Sequence, residues 1–168
     1  MQMGFCANIE AMSGSPTGSS DIETLNVRPV ALEDAKVVAA LSGELGYEVT
    51  VEAMAERIAQ FSPGEDRQVA LVACLGTEIV GWIEASIHHG LQSPPYSLIN
   101  GLIVSETRRG LGIGKRLCDE VEAWSRRQGV TTVRVTSRIS REDAHRFYLR
   151  EGFERIKTWA VFEKMLLK

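Results

Sequence analysis

The sequence predicts an α+β fold, a mixed and mostly antiparallel central sheet with helices on both faces. Three observations carry this. The apolar spacing switches repeatedly between two residues and about 3.6, giving the order β-α-α-β-β-β-α-β-α-β. Two β-rich runs, 68–75 and 78–88, meet at Gly76-Thr77, a hairpin signal that argues for an antiparallel meander. The stretch 97–136 runs strand, helix, strand, which is a βαβ crossover.

Each element has its own signature. Residues 22–30 form a short strand closed by Arg28-Pro29. Residues 32–45 carry Ala and Leu at helical spacing, with Glu33 and Asp34 in the first turn and Gly46 as the stop. Residues 51–61 repeat the helical pattern with Met54, Ile58 and Phe61 on one stripe, and Ser62-Pro63-Gly64 breaks it. After the hairpin, a loop around Ser93-Pro94-Pro95 leads to a third β-rich run, 97–104. A helix over 111–128 places Ile113, Leu117, Val121 and Trp124 on one face and ends at Gly129. Residues 130–136 alternate as a strand, 142–151 are helical up to Gly152, and 153–166 are β-rich.

The chain has 168 residues, about one domain on a prior of ~150. Residues 1–20 end in a Ser/Gly/Pro cluster and are expected to be a flexible extension, leaving 21–168 as a single domain. At 44% apolar and 24% charged, the composition excludes a collagen-like, mucin-like or wholly disordered chain. Cys6, Cys74 and Cys118 form no CxxC pair, which excludes a zinc ribbon and a disulfide scaffold and fits a reducing compartment. His88 and His89 are adjacent and point to opposite faces, so no metal site is expected. No apolar run reaches membrane-spanning length and no signal-peptide pattern opens the chain, so a cytoplasmic location away from membranes is expected. The net charge of −3 excludes a protein that coats nucleic acid.

That net charge hides a split. Residues 32–66 carry eight acidic side chains against Lys36 and Arg57, and residues 105–168 carry fifteen basic against nine acidic. Either solvated helix faces simply differ, or one part attracts a cation and another an anion.

The run Arg108-Arg109-Gly110-Leu111-Gly112-Ile113-Gly114-Lys115 lies between a strand and a helix. Glycines there allow a tight turn that aims N–H groups outward, and a helix N-terminus adds partial positive charge. A Walker A loop needs Gly where Arg109 stands and Ser or Thr where Arg116 stands, and a dinucleotide fingerprint needs its third Gly one residue later. A plain glycine-rich turn and a third pattern, Arg-x-x-Gly-x-Gly, stay open at this point.

The third pattern resembles the acetyl-CoA loop of the GNAT superfamily of N-acetyltransferases. Ala144-His145-Arg146-Phe147-Tyr148-Leu149-Arg150-Glu151-Gly152-Phe153 is similar to that family's Ala-x-x-Phe-Tyr-x-x-x-Gly-Phe segment, about thirty residues later with a strand between. Val27-Arg28-Pro29 and Glu33-Asp34-Ala35 resemble the family's first strand and helix. The resemblance covers roughly residues 22–168 and implies a GNAT-type sheet and direct transfer of acetyl from acetyl-CoA to an amine.

By matching positions, the resemblance implies that Arg109, Gly110 and Lys115, with the N–H groups of Leu111, Gly112, Ile113 and Gly114, form the pyrophosphate loop. It implies that Leu102, Ile103 and Val104 pair with the pantetheine arm, one N–H there being placed to steady the oxyanion. It puts Tyr148 at the general-acid position. The leaving thiolate needs a proton, and a phenol of pKa ~10 can supply it to a thiol of pKa ~8.5 at modest cost. A helix aromatic packed in the core is the alternative. The family often has Asn where this chain has Arg141, which affects one contact to the pantetheine.

An alkylamine of pKa ~10.4 is mostly protonated at neutral pH, so a base is needed. Alternation along 80–88 places Val80, Trp82, Glu84, Ser86 and His88 on one face. Gly81–Ile87 resembles the matching strand of some aminoglycoside 6′-N-acetyltransferases, in which the acid contacts the cationic sugar. Glu84 is therefore a candidate base or substrate contact, with a solvated or Arg-paired edge carboxylate as the alternative. The resemblance further implies that the first two helices and their loop cover the acceptor. The acidic segment would then attract a cationic amine, an aminoglycoside-like small molecule being the best specific expectation, with a role in antibiotic resistance. A peptide or protein amine and a non-catalytic acyl-CoA sensor are the rivals. A homodimer is also expected, with the C-terminal strands at or exchanged across the interface: residues 153–166 contain none of the Gly, Asn, Asp or Pro that a hairpin turn uses, so one continuous strand bent near Lys157-Thr158 could reach a partner's sheet, a tight polar turn there that keeps both strands in one chain being the alternative.

Overall fold

The computed structural model describes residues 24–44, 46–61 and 67–166. The extension expected over 1–20 lies outside these. The strands are β1 (Leu25–Pro29), β2 (Gln68–Leu75), β3 (Glu78–His88), β4 (Tyr96–Val104) and β5 (Val133–Val135). The helices are α1 (Ala35–Glu44), α2 (Val51–Ile58), α3 (Ile113–Arg127) and α4 (Glu142–Arg150). The five strands form one sheet in the order β1-β2-β3-β4-β5. The first four are antiparallel neighbours, and β5 pairs parallel to β4 as the crossover requires.

Helices cover both faces, as the apolar stripes dictate. Ile113, Leu117, Val121 and Trp124 of α3 are buried against Val80, Ile83, Ala85 and Ile99. Each such side chain contributes about 1.5–3 kcal/mol relative to exposure. On the other face Val38 and Ala39 of α1 and Met54 and Ile58 of α2 pack on Val72 and Cys74. Cys74 and Cys118 are buried free thiols. The hydroxyl of Thr50 accepts from the Ala53 N–H at 3.2 Å and fixes the start of α2. A single 3-10 turn, Leu32–Asp34, precedes α1, and Asp34 within it is buried. Its carboxylate takes Arg28 at 2.7 and 2.8 Å and the Ala31 N–H at 2.8 Å, clamping β1 to α1. The Arg28 guanidinium, outweighing the cost of burial, holds the Asp34 carboxyl below the usual carboxylate range.

Two β-bulges reset the side-chain phase. The β2–β3 register shifts between Ala73 and Cys74, so that Ala73 faces Gly81 and Cys74 faces Ile79. Val80, the residue between, therefore points to the α3 side with Ile83, not to the face of Trp82 and Glu84 as strict alternation expects. The β3–β4 register shifts between Glu84 and Ala85, with Glu84 opposite Gly101 and Ala85 opposite Ile99. Asn100 is the extra residue. Ile99 before it and Leu102 and Val104 after it all face α3.

The C-terminal expectation fails. Residues 153–166 form no strand among the described residues. A parallel β5 of three residues offers little edge to a returning strand, and the segment has no turn that would bring it back in the antiparallel sense. Two other boundaries shift for local reasons. Helix α3 starts at Ile113 rather than Leu111 because Gly110 and Gly112 have φ of 84° and 77°. Strand β5 is three residues rather than seven, because β4 leaves it at the Asn100 bulge.

Candidate active site

Strands β4 and β5 pair only as far as Ile99–Val135. Beyond the bulge, Gly101–Val104 stays bonded to β3, and its opposite backbone edge faces a cleft. The predicted residues Leu102, Ile103 and Val104 all line this cleft. Ile103 is buried, and Leu102 and Val104 also pack towards α3.

The glycine-rich turn closes one end of the cleft. The left-handed Gly110 and Gly112 turn the chain into α3, and glycine is the residue that adopts that conformation without strain. Gly112 is the N-cap and has no side chain to cap with, and the first helical bond runs from the Arg116 N–H to its carbonyl. The N–H groups of Ile113, Gly114 and Lys115 thus lack intrahelical partners and carry the positive end of the helix dipole. A Cβ on Gly114 would sit 3.1 Å from the Phe147 ring, so glycine lets α4 close on the start of α3. Arg109, Gly110, Gly112, Ile113, Gly114 and Lys115 line the cleft. Leu111 is exposed. The cations are balanced by neighbours: Arg109 by Glu106 at 3.4 Å, Lys115 by Asp119 at 2.7 Å, and Arg108 by Glu78 at 2.6 Å. The arrangement suits a polyanion such as a pyrophosphate, which binds through backbone N–H groups as well as charge.

Tyr148 projects from α4 into the same cleft. Its ring meets Phe147 edge-on at 5.2 Å and Phe153 at 5.4 Å. Burial pushes the phenol well above its ordinary value, the nearby Cys118 adds to the shift, and the Arg141 guanidinium opposes it. Burial also pushes the Cys118 thiol up to about 12. Both groups are therefore protonated at neutral pH. Arg141 is the N-cap residue of α4, and its guanidinium lies 5.8 Å from the Tyr47 ring centre.

Glu84 lies on β3 on the α1/α2 side of the sheet, partly buried. Burial raises its pKa, while a hydrogen bond from Asn100 and the charge of Arg57 oppose the rise. A polar row extends from it: Asn100 donates to the Ser86 hydroxyl at 3.0 Å, and Ser86 lies 3.2 Å from His88 Nε2. His88 stacks on Tyr96, and the Arg134 guanidinium covers Tyr96 at 3.9 Å. The indole of Trp82 lies over Gly101, with its N–H buried and unpartnered among the described residues. Among those residues no group of three His, Cys, Asp or Glu side chains is placed to hold a metal ion, and no helix is long and apolar enough to cross a membrane.

The cleft thus brings the glycine-rich turn, the free β4 edge, Tyr148 and Glu84 together. Sequence reasoning missed Asn100, Arg57, Tyr47 and Arg138, which also line it. Asn100 has no sequence signal beyond a polar residue in an apolar strand. Tyr47 and Arg138 meet only in three dimensions, the guanidinium 5.4 Å from the ring centre. The acidic segment is also less concentrated at the cleft than its charge implied. Asp34 is spent on Arg28, Glu44 accepts from the Glu106 N–H at 3.0 Å, and Glu33, Glu52 and Glu56 lie on exposed faces. Of the described acids in the segment, Glu48 lines the cleft, along with Arg57.

This architecture defines the class. The acetyltransferase (GNAT) family model matches residues 30–153, and the chain belongs to that family of N-acetyltransferases. Among characterised relatives, it is 28% identical over 115 residues to an aminoglycoside N(6′)-acetyltransferase type 1 of Stenotrophomonas maltophilia, covering 66% of this chain and 75% of the relative. It is 31% identical over 115 residues to an aminoalkylphosphonate N-acetyltransferase of Salmonella typhimurium, covering 68% and 71%. Among solved structures, the aminoglycoside acetyltransferase AAC(6′)-Iy in complex with a bisubstrate analogue superposes with a TM-score of 0.74 at 17% identity, covering 85% of this chain and 99% of that one. Glucosamine-6-phosphate N-acetyltransferase from Arabidopsis thaliana superposes with a TM-score of 0.72 at 18% identity, covering 84% and 99%.

Proposed function

We propose that this chain transfers acetyl from acetyl-CoA directly to the primary amine of a cationic small molecule, an aminoglycoside-like compound being the best specific assignment. The observation that carries this is the meeting of an uncapped, glycine-bracketed helix N-terminus, Tyr148 and the half-buried Glu84 in one cleft. The backbone N–H groups of residues 111–114, with Arg109 and Lys115, hold the pyrophosphate. The free edge of Leu102–Val104 pairs with the pantetheine arm as an added strand would, and one N–H there faces the carbonyl oxygen as it gains charge.

The acceptor enters from the Glu84 side, beneath the α1–α2 loop. Its nitrogen attacks the thioester carbonyl carbon, the C–N bond forms, and the C–S bond then breaks. Glu84, directly or through water, takes the proton that the amine sheds. Tyr148, kept protonated by burial, gives its proton to the departing thiolate. Its raised pKa makes that transfer costlier than for an unperturbed phenol, and Arg141 lowers the cost again by favouring the phenolate. The free thiols of Cys74 and Cys118 support a cytoplasmic enzyme, and an aminoglycoside acceptor would make resistance its role.

The test is thiol release from acetyl-CoA with a panel of aminoglycosides, polyamines, aminoalkylphosphonates and peptides. Turnover on a polycationic sugar amine is expected. Turnover confined to peptides or to phosphonates would replace the acceptor, and acetyl-CoA binding without turnover on any amine would favour the sensor.

A further inference from the structure

The bulge in β4 does more than part that strand from β5. Ile99 and Leu102 both face α3, so Asn100 and Gly101 between them lie together on the opposite face. Regular alternation never puts consecutive residues on one face, and an inserted residue does. The β3 residue they oppose is Glu84. Gly101 is in direct register with it and has no side chain to offer. The place where one would stand is taken by the Trp82 indole, whose Cη2 lies 2.7 Å from a Cβ built there. Asn100 supplies the polar group that Gly101 lacks.

The Asn100 amide spans two side chains of β3. Its Nδ2 donates to the Ser86 hydroxyl at 3.0 Å, and it also hydrogen-bonds Glu84, two residues before Ser86 on the same face. An amide nitrogen carries two hydrogens and an ionised carboxylate only accepts, so one group serves both. Ser86 lies 3.2 Å from His88 Nε2. When the neutral ring accepts the hydroxyl hydrogen, the Ser86 oxygen is left to accept from Asn100. A half-buried carboxylate that takes a proton from an amine must be ionised and must be aimed. Burial opposes the first, and a donor fixed from the side serves both.

We propose that Asn100 is a positioning residue for acetyl transfer: the inserted amide, braced by Ser86, holds the Glu84 carboxylate towards the incoming amine. The inference rests on the proposed reading of Glu84 as the proton acceptor. The Asn100 hydrogen bond and the charge of Arg57 on α2 both act against the rise that burial causes at Glu84. Glu48, from the α1–α2 loop, and Arg138, Arg141 and Tyr148 line the same cleft. All of them stay in place when Asn100 or Ser86 is replaced, so such variants isolate the amide's contribution.

Asn100→Leu removes the donor at similar volume, and Ser86→Ala removes its brace. Each is compared with the wild type in the full chain by two measurements. The first is carboxyl-carbon NMR titration, with Glu84→Gln identifying the Glu84 resonance. The second is the pH profile of kcat/KM for the acceptor. In Asn100→Leu the Glu84 midpoint is expected to rise by about one to two pH units, the size of a hydrogen bond to a charged group. Ser86→Ala should move it less and in the same direction. The acid limb of kcat/KM should move with the midpoint, giving a loss of about ten- to a hundredfold below the limb that narrows at alkaline pH. A merely structural role lowers kcat/KM alike at every pH and leaves the midpoint in place, and that result overturns the proposal. Should Asn100→Leu fail to fold, the Ser86→Ala titration decides, an unmoved midpoint there being the refuting result. An acid limb that survives Glu84→Gln refutes the reading of Glu84 itself, and the positioning role with it, even where the midpoint shifts.

Discussion

Replacing Gly101 by alanine drives a methyl group into the indole of Trp82. A Cβ built on Gly101 lies 2.7 Å from both Cη2 and Cζ3 of that ring and 3.8 Å from Glu84 Cγ. Ordinary carbon–carbon contact begins near ~3.5 Å, so the indole must retreat by about 0.8 Å. Trp82 packs on the cluster under α1 and α2, which resists the shift on that side, and lines the cleft on the other. Overpacking of this size costs about 1–3 kcal/mol, which lowers Tm by roughly 2–10 °C for a chain of this length. Because the same ring flanks Glu84, the acceptor side of the cleft is displaced with it, and a misplacement near 1 Å costs about ten- to a hundredfold in kcat/KM. Differential scanning fluorimetry gives the first number, and steady-state kinetics with acceptor and acetyl-CoA varied in turn give the second. An unchanged Tm, or a defect confined to the acetyl-CoA KM, would refute the reasoning. Gly43→Ala is the control: its added Cβ meets nothing within 4 Å in α1, and a gain of about 0.5–1 kcal/mol is expected.

Tyr148→Phe is expected to lower kcat by about ten- to a thousandfold with acetyl-CoA affinity nearly unchanged, read by single-turnover kinetics and calorimetry. Unaltered kcat would assign the thiolate's proton to water. With Glu84 the raised pKa means that protonation persists above the usual carboxylate range, so kcat/KM for the acceptor should rise with pH through an acid limb displaced upward. That limb should vanish in Glu84→Gln, and Tm at pH 7 should increase, because a raised carboxyl pKa destabilises the folded state once the group ionises. Asp34→Asn breaks a pair that is buried on one side and half-exposed on the other and should cost about 2–3 kcal/mol by urea unfolding. Its carboxyl is held low, so the stabilisation is present above the unfolded pKa and is lost as pH falls through the folded one. The wild type and variant curves should therefore converge in acid.

Where local physics determines an element, the sequence is legible. The stripe of Ile113, Leu117, Val121 and Trp124 and the turn at Gly76-Thr77 depend on spacing and turn chemistry alone, and both stand as expected. The residues grouped by the two motifs also come together, since the turn before α3 and the α4 helix are joined through Gly114 and Phe147. Phase was less legible. Nothing in the composition of 79–81 or 99–101 marks Val80 or Asn100 as the inserted residue, because a bulge is decided by cross-strand partners far away in sequence. Net charge misled for a similar reason: Asp34 and Glu44 read as free anions until their partners Arg28 and the Glu106 N–H are known. The apolar alternation of 159–162 reads as a strand because it has the pattern of one, but a strand exists only when a neighbour completes it.

Because the inserted Asn100 parts β4 from β5, the gap between them is a fixed property of the backbone rather than the product of a hinge. On the proposed reading, an extended ligand lying there is a temporary member of the sheet, and its departure returns a row of amides to water. The thermal tolerance of the protein then tracks the supply of its donor: at a free concentration one hundred times Kd, the bound form gains about 2.7 kcal/mol by mass action. The amide hydrogens along Gly101–Val104 that face the gap rather than β3 would register the same event as slowed exchange with solvent. The enzyme would be hardiest when acetyl donor is plentiful and the first to unravel when it runs short.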